Sequence, residues 1–372
     1  MRFLKKLFNR KNILYYCYIL LIVFISLEII LRVYNPFPFR LSGDKVILAI
    51  NRKITITNNE IPVLGNKIIH KKNNIGFRGP DKPSQFDSLL TIMAVGGSTT
   101  ECFYLQEDSC WTAFLYRKLQ QDFSSLWLNN AGFQGHSSFG HYILINEYLK
   151  YIRPKIVLLL VGCNEVGRTD LFTGESISRK SWNADFISIL RRKSEVANLI
   201  SNLMRKHASD TKGVTDKYLD LRHIEYKVCT PVYCDSVLNA EIPLLNAYKL
   251  RLTRILDTLK ANNILPVLIS QPTLFGNTKD SVTGADLGLC KMNDIYNGAL
   301  WWALLSKYNE VTKTIAMERN IYFIDLANQL PKNSLYFYDV VHFTNEGSEK
   351  VGGIIYSSLK PCLQLQFKNY KR

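Results

Sequence analysis

The chain has 372 residues, 47% hydrophobic and 21% charged, with no biased repeats. This excludes a disordered or fibrous protein and leaves room for one large α/β domain plus an anchor, or two modest domains. A formal net charge of +16, spread along the chain, favours anionic surroundings such as a membrane surface or an acidic cell-surface polymer. There is no zinc-finger spacing and no RNP-like stretch, so no nucleic acid partner is expected, and no Cys/His cluster has the spacing of a metal site.

At the N-terminus, Arg2, Lys5, Lys6, Arg10 and Lys11 precede an apolar run from Ile13 to Val33, broken by Ser26, Glu28 and Arg32. About 20 apolar residues cross a bilayer. The run is too long for the core of a cleaved signal peptide, and Tyr34-Asn35-Pro36-Phe37-Pro38 offers no small-residue cleavage site. It therefore reads as a single-pass signal anchor, its N-terminus cytoplasmic and the following domain extracytoplasmic. Glu28 is costly there, and pairing with Arg32 lowers that cost. A buried core helix is the competing reading. Of the eight cysteines, Cys102 with Cys110 and Cys229 with Cys234 are close enough in sequence for local disulfides, against the alternative of free thiols.

Residues 1–34 thus form a tail and membrane span, and 35–88 a linker with short extended segments at 45–50 and 53–57. The α/β domain covers 89–362, followed by a basic tail at 363–372. Leu89-Leu90-Thr91-Ile92-Met93-Ala94-Val95 reads as a buried strand ending at Gly96-Gly97-Ser98. Ser98-Thr99-Thr100-Glu101 fits a capping box, in which the serine hydroxyl satisfies a helix amide. The same position can also present a nucleophile. A helix over 111–121, capped by Asp108 or Ser109, precedes a strand at 126–129 and a helix over 139–152 that stops at Pro154. The second wholly apolar strand is 155–161, and 186–207 reads as a long helix. Residues 208–236 look like an irregular insertion. Leu245, Tyr248, Leu252, Ile255 and Leu259 mark one face of a helix over 242–262. A strand at 264–270, a helix over 295–319, a strand at 321–326 and a helix over 346–359 complete the chain. Five strands alternating with helices imply a parallel sheet covered on both faces, with its functional crevice beyond the carboxyl ends of the strands.

Those ends carry a consistent chemistry. After the second strand comes Asn130-Ala131-Gly132-Phe133-Gln134-Gly135-His136, after the third Gly162-Cys163-Asn164-Glu165, and before the last helix Asp339-Val340-Val341-His342. A serine hydroxyl needs an adjacent base to act as a nucleophile. His342 is the candidate base, and Asp339 the carboxylate that fixes its tautomer. The amides of Ser98 and Gly135 and the side-chain amide of Asn164 are the candidate oxyanion donors. His136 and His141 lie near this group without a carboxylate at comparable spacing, so they rank as substrate contacts at most. His70, His207 and His223 read as surface residues, and Cys163 and Glu165 as packing and loop-anchoring residues.

The four blocks together resemble the SGNH/GDSL hydrolases. Gly96-Gly97-Ser98 matches the first block, with Gly97 where the family's motif has aspartate. Asn130 to Gly135 resembles the second, Gly162-Cys163-Asn164-Glu165 the third with glutamate for aspartate, and Asp339-Val340-Val341-His342 the last. Asn74-Ile75-Gly76-Phe77-Arg78-Gly79 looks like a lead-in seen in membrane-anchored members. The resemblance implies a flavodoxin-like three-layer α/β/α sandwich with a five-stranded parallel sheet, preceded here by one transmembrane helix. It also implies ester hydrolysis through an acyl-serine, with no metal or organic cofactor. The substrate expected is an O-acyl ester on an envelope glycan or a lipid. The alternatives are an O-acyltransferase of the same fold acting on a cell-surface polysaccharide, and a catalytically silent glycan-binding or scaffold member.

Overall fold

The structure is a computed structural model that describes residues 10–34, 39–42, 45–167, 194–197, 199–200, 203 and 217–372. Two compact units make up the chain, one of Met1–Ala49 with Arg179–Thr215 and one of Ile50–Ser178 with Asp216–Arg372.

In the first unit, helix α1 spans Arg10–Val33. Its Leu14–Val33 stretch has a mean hydropathy of 2.4 and is long and apolar enough to cross a membrane, as an anchor or a signal sequence would be. Arg32 donates to Glu28 at 3.0 Å, as the sequence suggested. The Glu28 carboxylate also accepts from Ser194 Oγ and from the amides of Glu195 and Val196. Strands β1 (Phe39–Ser42) and β2 (Lys45–Leu48) form an antiparallel hairpin. Most of the helix expected over 186–207 lies outside the described residues.

The second unit opens with a second antiparallel hairpin, β3 (Arg52–Thr57) with β4 (Lys67–Lys72). On β4 the alternate residues Ile68, His70 and Lys72 are buried. The main sheet is built from β5 (Leu90–Gly96), β6 (Leu126–Gly132), β7 (Ile156–Leu160), β8 (Leu265–Ile269) and β9 (Tyr322–Ile324). All neighbours are parallel, in the order β6-β5-β7-β8-β9. This is the flavodoxin-like strand order.

The mostly apolar β5 and the wholly apolar β7 are fully buried, as a sheet covered on both faces requires. Leu90, Ile92 and Ala94 of β5 join one cluster with Trp111, Leu115 and Leu119 of helix α3 (Trp111–Asp122) and with Val351, Ile355 and Leu359 near the C-terminus. Met93 and Val95 point to the opposite face and are equally buried. Register aligns the strand ends. Gly96 pairs with Gly132 and Leu160, Leu160 with Ile269, and Ile269 with Ile324. Segments leaving these ends therefore emerge along one edge.

Several local elements differ from the sequence reading. Helix α3 starts from Cys110, not Asp108 or Ser109, and no side chain caps it. Helix α4 (Ser138–Leu144) continues through a wide turn at Ile145–Leu149 to Ile152. Within the segment read as irregular, Pro231–Ala240 forms helix α5, capped by Thr230. Helices α6 (Ile242–Ala261) and α7 (Gly298–Glu318) fall where expected. After the one-turn helix α8 (Leu326–Gln329), the last helix, α9 (Asn345–Gln366), runs through Pro361 because Cys362 and Leu363 beyond it are buried. The cysteines are free thiols.

Candidate active site

The sharp turn after β5 carries Ser98. Gly97 is extended, and Ser98 is the first residue of a single helical turn, α2 (Ser98–Glu101). The capping box does not form. The Ser98 hydroxyl is 2.7 Å from His342 Nε2, and Glu101 turns to other partners. His342 Nδ1 is 2.6 Å from Asp339 Oδ2. An ionised carboxylate only accepts, so Nδ1 carries the proton and Nε2 is left to accept from Ser98.

Asp339 Oδ1 accepts from the amides of Val341 and His342 at 2.8 and 2.7 Å, which closes a tight turn around the pair. The Tyr338 ring stacks on the imidazole at 12° with centroids 5.6 Å apart. From the end of β8, Thr273 Oγ1 and the Leu274 amide both donate to the Val340 carbonyl. The loop is thereby tied to the sheet edge that also carries Ser98.

The candidate oxyanion donors lie on neighbouring segments. Gly135 has φ +71° with open space where a side chain would be, a conformation that favours glycine. Asn164 donates one amide hydrogen to His136 O at 2.9 Å and keeps a second. A Cβ on Gly97 would lie 2.5 Å from Asn164 Nδ2. Glycine at that position thus leaves the space that the Asn164 amide occupies.

Two buried glutamates hold the loop that carries Gly135. Glu165 accepts from the Ser138 amide and pairs with Arg251 at 2.7 Å, while Arg251 Nε donates to Ser138 Oγ at 2.6 Å. Glu101 accepts from the Gln134 amide at 2.6 Å and from Lys72 at 3.3 Å. Burial pushes the Glu101 carboxyl up, but Lys72, His70 and Arg78 outweigh it and hold it at about 2. Sequence reasoning did not find Gln134, Ser138, Arg251 or Lys72. Glu101 was visible only as a capping-box residue.

The histidines sort differently from the sequence reading. His70 is buried, 3.5 Å from Glu101, and is no surface residue. His223 is exposed but pairs with Asp220 at 2.8 Å. His207 lies outside the described residues. His136 and His141 are buried, and desolvation pushes them down to about 3 and about 4, so both are neutral in ordinary buffers. Burial, with Asp339 and Glu165 nearby, pushes the Cys163 thiol up to about 12, which leaves it unreactive.

Beside Ser98 is a recess of about 10 Å³ walled by Cys102, Tyr104, Leu105, Tyr338 and Phe343, room for about one water. Among the described residues, no three His, Cys, Asp or Glu side chains are grouped to hold a metal ion.

A family model described as GDSL-like lipase/acylhydrolase matches residues 94–350. No curated protein matches in sequence. Similar solved structures include a lipolytic protein of the G-D-S-L family from Desulfitobacterium hafniense, with 14% identity, 73% of this chain and 99% of that one covered, and a TM-score of 0.40. An acetylxylan esterase from Geobacillus stearothermophilus has 14% identity, coverage of 72% and 93%, and a TM-score of 0.42. A GDSL-like lipase from Bacteroides thetaiotaomicron has 13% identity, coverage of 76% and 93%, and a TM-score of 0.39.

Proposed function

The chain belongs to the GDSL-like lipase/acylhydrolase family, and from that premise we propose that it is a membrane-anchored serine esterase that removes a short acyl group from an O-acyl ester. The observation that carries the reading is the hydrogen-bonded series Ser98 Oγ–His342–Asp339, at 2.7 and 2.6 Å. Ser98 attacks the ester carbonyl as His342 Nε2 takes its proton, and Asp339 stabilises the resulting imidazolium. The amides of Ser98 and Gly135 with the second Asn164 N–H receive the oxyanion. Collapse expels the alcohol, which takes the proton from His342. Water then attacks the acyl-serine carbonyl as its proton passes to His342, and collapse releases the carboxylic acid while His342 returns that proton to Ser98 Oγ.

The recess beside Ser98 has room for a group about the size of an acetyl methyl, which supports acetyl before longer chains. Helix α1 supports membrane attachment, and the basic residues before it support a cytoplasmic N-terminus with the catalytic unit outside. A net charge of +16 suits an acylated anionic glycan or a lipid surface as the substrate's setting.

The test uses the full chain in detergent with p-nitrophenyl esters of graded length. The expected rate is highest for acetate and falls with each added carbon pair. Ser98→Ala is expected to abolish at least 99.9% of it, a loss of about 1000-fold or more. Hydrolysis that persists in the Ser98→Ala protein rules the assignment out.

A further inference from the structure

We propose that Glu101 is a positioning residue for the candidate oxyanion loop, and that Lys72 of the β3–β4 hairpin serves the site by holding Glu101 in place. The inference rests on the reading above that the Gly135 amide receives the oxyanion.

Glu101 lies three residues after Ser98, at the end of the same helical turn, and is 2% exposed. Its Oε2 accepts from the amide of Gln134, the residue that immediately precedes Gly135, at 2.6 Å. Gly135 is itself left-handed and has no side chain, so the direction of its N–H depends on how its neighbours are held. The Lys72 ammonium, 3.3 Å from Glu101 Oε1, also lies 4.5 Å from the centroid of the Phe133 ring. The ion pair therefore touches two consecutive residues of the loop. Arg78 completes the frame. Its Nη1 donates to the carbonyls of Glu101 and Cys102 at 2.6 and 2.8 Å, and its backbone pairs with Asn130 on the strand leading into the loop.

Packing alone does not call for a carboxylate here, because a buried ion pair is commonly matched in stability by apolar residues of similar volume. A carboxylate offers an acceptor for the Gln134 backbone N–H just beyond the end of β6. Through one side chain, the nucleophile's turn and the oxyanion donor are then set at a fixed separation. A displacement of about 1 Å in such geometry costs on the order of 100-fold in rate.

The test compares two full-length proteins that both remove the Lys72 and Glu101 charges, Lys72→Met/Glu101→Gln and Lys72→Met/Glu101→Met. They match closely in size and differ in whether residue 101 can accept from Gln134. The glutamine protein is expected to exceed the methionine protein by about 10–100-fold in kcat, with KM differing by less than about threefold. In hydrogen exchange, the Gln134 amide is expected to be protected in the first and exposed in the second. Equal kcat together with equal exchange overturns the proposal.

If the wild-type chain shows no Ser98-dependent hydrolysis, the oxyanion reading itself has failed. Exchange at Gln134 then decides the anchoring alone: faster exchange in the methionine protein supports it, and equal exchange refutes it. Should the methionine protein not fold, Glu101→Asp keeps the charge but shortens the reach by one methylene. A kcat drop of about 10-fold at unchanged KM is expected, and full kcat overturns the proposal.

Discussion

The loop from Phe133 to Ser138 is gripped at its two ends by buried glutamates, and the two grips are built differently. At the far end, Glu165 and Arg251 converge on one residue, Ser138, the carboxylate taking its amide and the guanidinium donating to its hydroxyl. Both belong to the α/β layers, Glu165 in the turn after β7 and Arg251 on α6. At the near end, Glu101 stands among Lys72 and His70 of the hairpin and Arg78 of the lead-in, all from chain that precedes Ser98. Among the described residues, one anchor leans on the Arg251 guanidinium and the other on a shared group. A shared group tolerates the loss of a member better, because without Lys72 the Arg78 charge still lies near the carboxylate and the neutral His70 ring still lies beside it.

That contrast is sharpest in stability. Arg251→Met leaves Glu165 buried without its cation and is expected to cost about 3–5 kcal/mol. Thermal melting should show this as a fall of about 10 °C. Lys72→Met leaves His70 and Arg78 beside Glu101, so a smaller loss, about 1–3 kcal/mol, is expected. The reverse order would show that Arg78 and His70 give Glu101 no effective support.

A histidine sits beside each anchor, and acid stability separates them. Desolvation pushes both His70 and His141 down to about 4, so the folded chain keeps them neutral while the unfolded chain protonates them near 6.5. Between pH 6.5 and 4 the unfolded state binds more protons, so stability falls as pH falls through that window, by about 1.4 kcal/mol per pH unit for each histidine. Glu101 acts lower: held at about 2, its contribution is intact above about pH 4.5 and is lost from there down to pH 2. His141→Phe is expected to flatten the limb between pH 6.5 and 4, raising stability at pH 5 by about 2 kcal/mol relative to pH 7. His70→Phe also removes the contact with Glu101, so its benefit is smaller. Urea melts across this range measure both, and equal gains would show that the His70–Glu101 contact contributes nothing.

The two anchors also differ in how far the sequence disclosed them. Runs such as Leu90–Val95, apolar but for Thr91, and Ile156–Val161 carry apolar residues on both faces, so composition and length were enough to identify buried parallel strands. The residues at their ends followed from topology. Glu165 was visible as a loop anchor because it stands in a recognisable block. Glu101 was masked by an equally good local pattern, the Ser-x-x-Glu capping box. Nothing local shows that the serine hydroxyl turns instead to a histidine 244 residues away. Lys72 and His70 were hidden for another reason. In Lys67-Ile68-Ile69-His70-Lys71-Lys72 the inward face carries charge, which a reading based on hydrophobic alternation assigns to solvent. Only the tertiary partner, a carboxylate on another segment, makes that face a buried one.

Asn164 supplies a third tie on the loop, through His136 O, and Gly97 tests how firmly it is set. Here the family's first block has aspartate, whereas in this chain an added Cβ would lie 2.5 Å from Asn164 Nδ2 and 3.3 Å from His136 O. Asn164 is followed directly by Glu165, whose pairing with Arg251 and Ser138 resists a shift of that turn. Gly97→Ala should therefore displace the Asn164 amide from its proposed oxyanion position rather than move the turn as a whole. A fall in kcat of about 10-fold is expected, with KM and the melting temperature nearly unchanged, since in the proposed mechanism the loss falls on a donor used in the transition state. Gly97→Asp places more atoms in the same space and should lower kcat further. Steady-state kinetics on both proteins, against acetate esters, make the measurement. An unaltered kcat in Gly97→Ala would mean that Asn164 yields freely, and a side chain that yields freely is not a preorganised oxyanion donor.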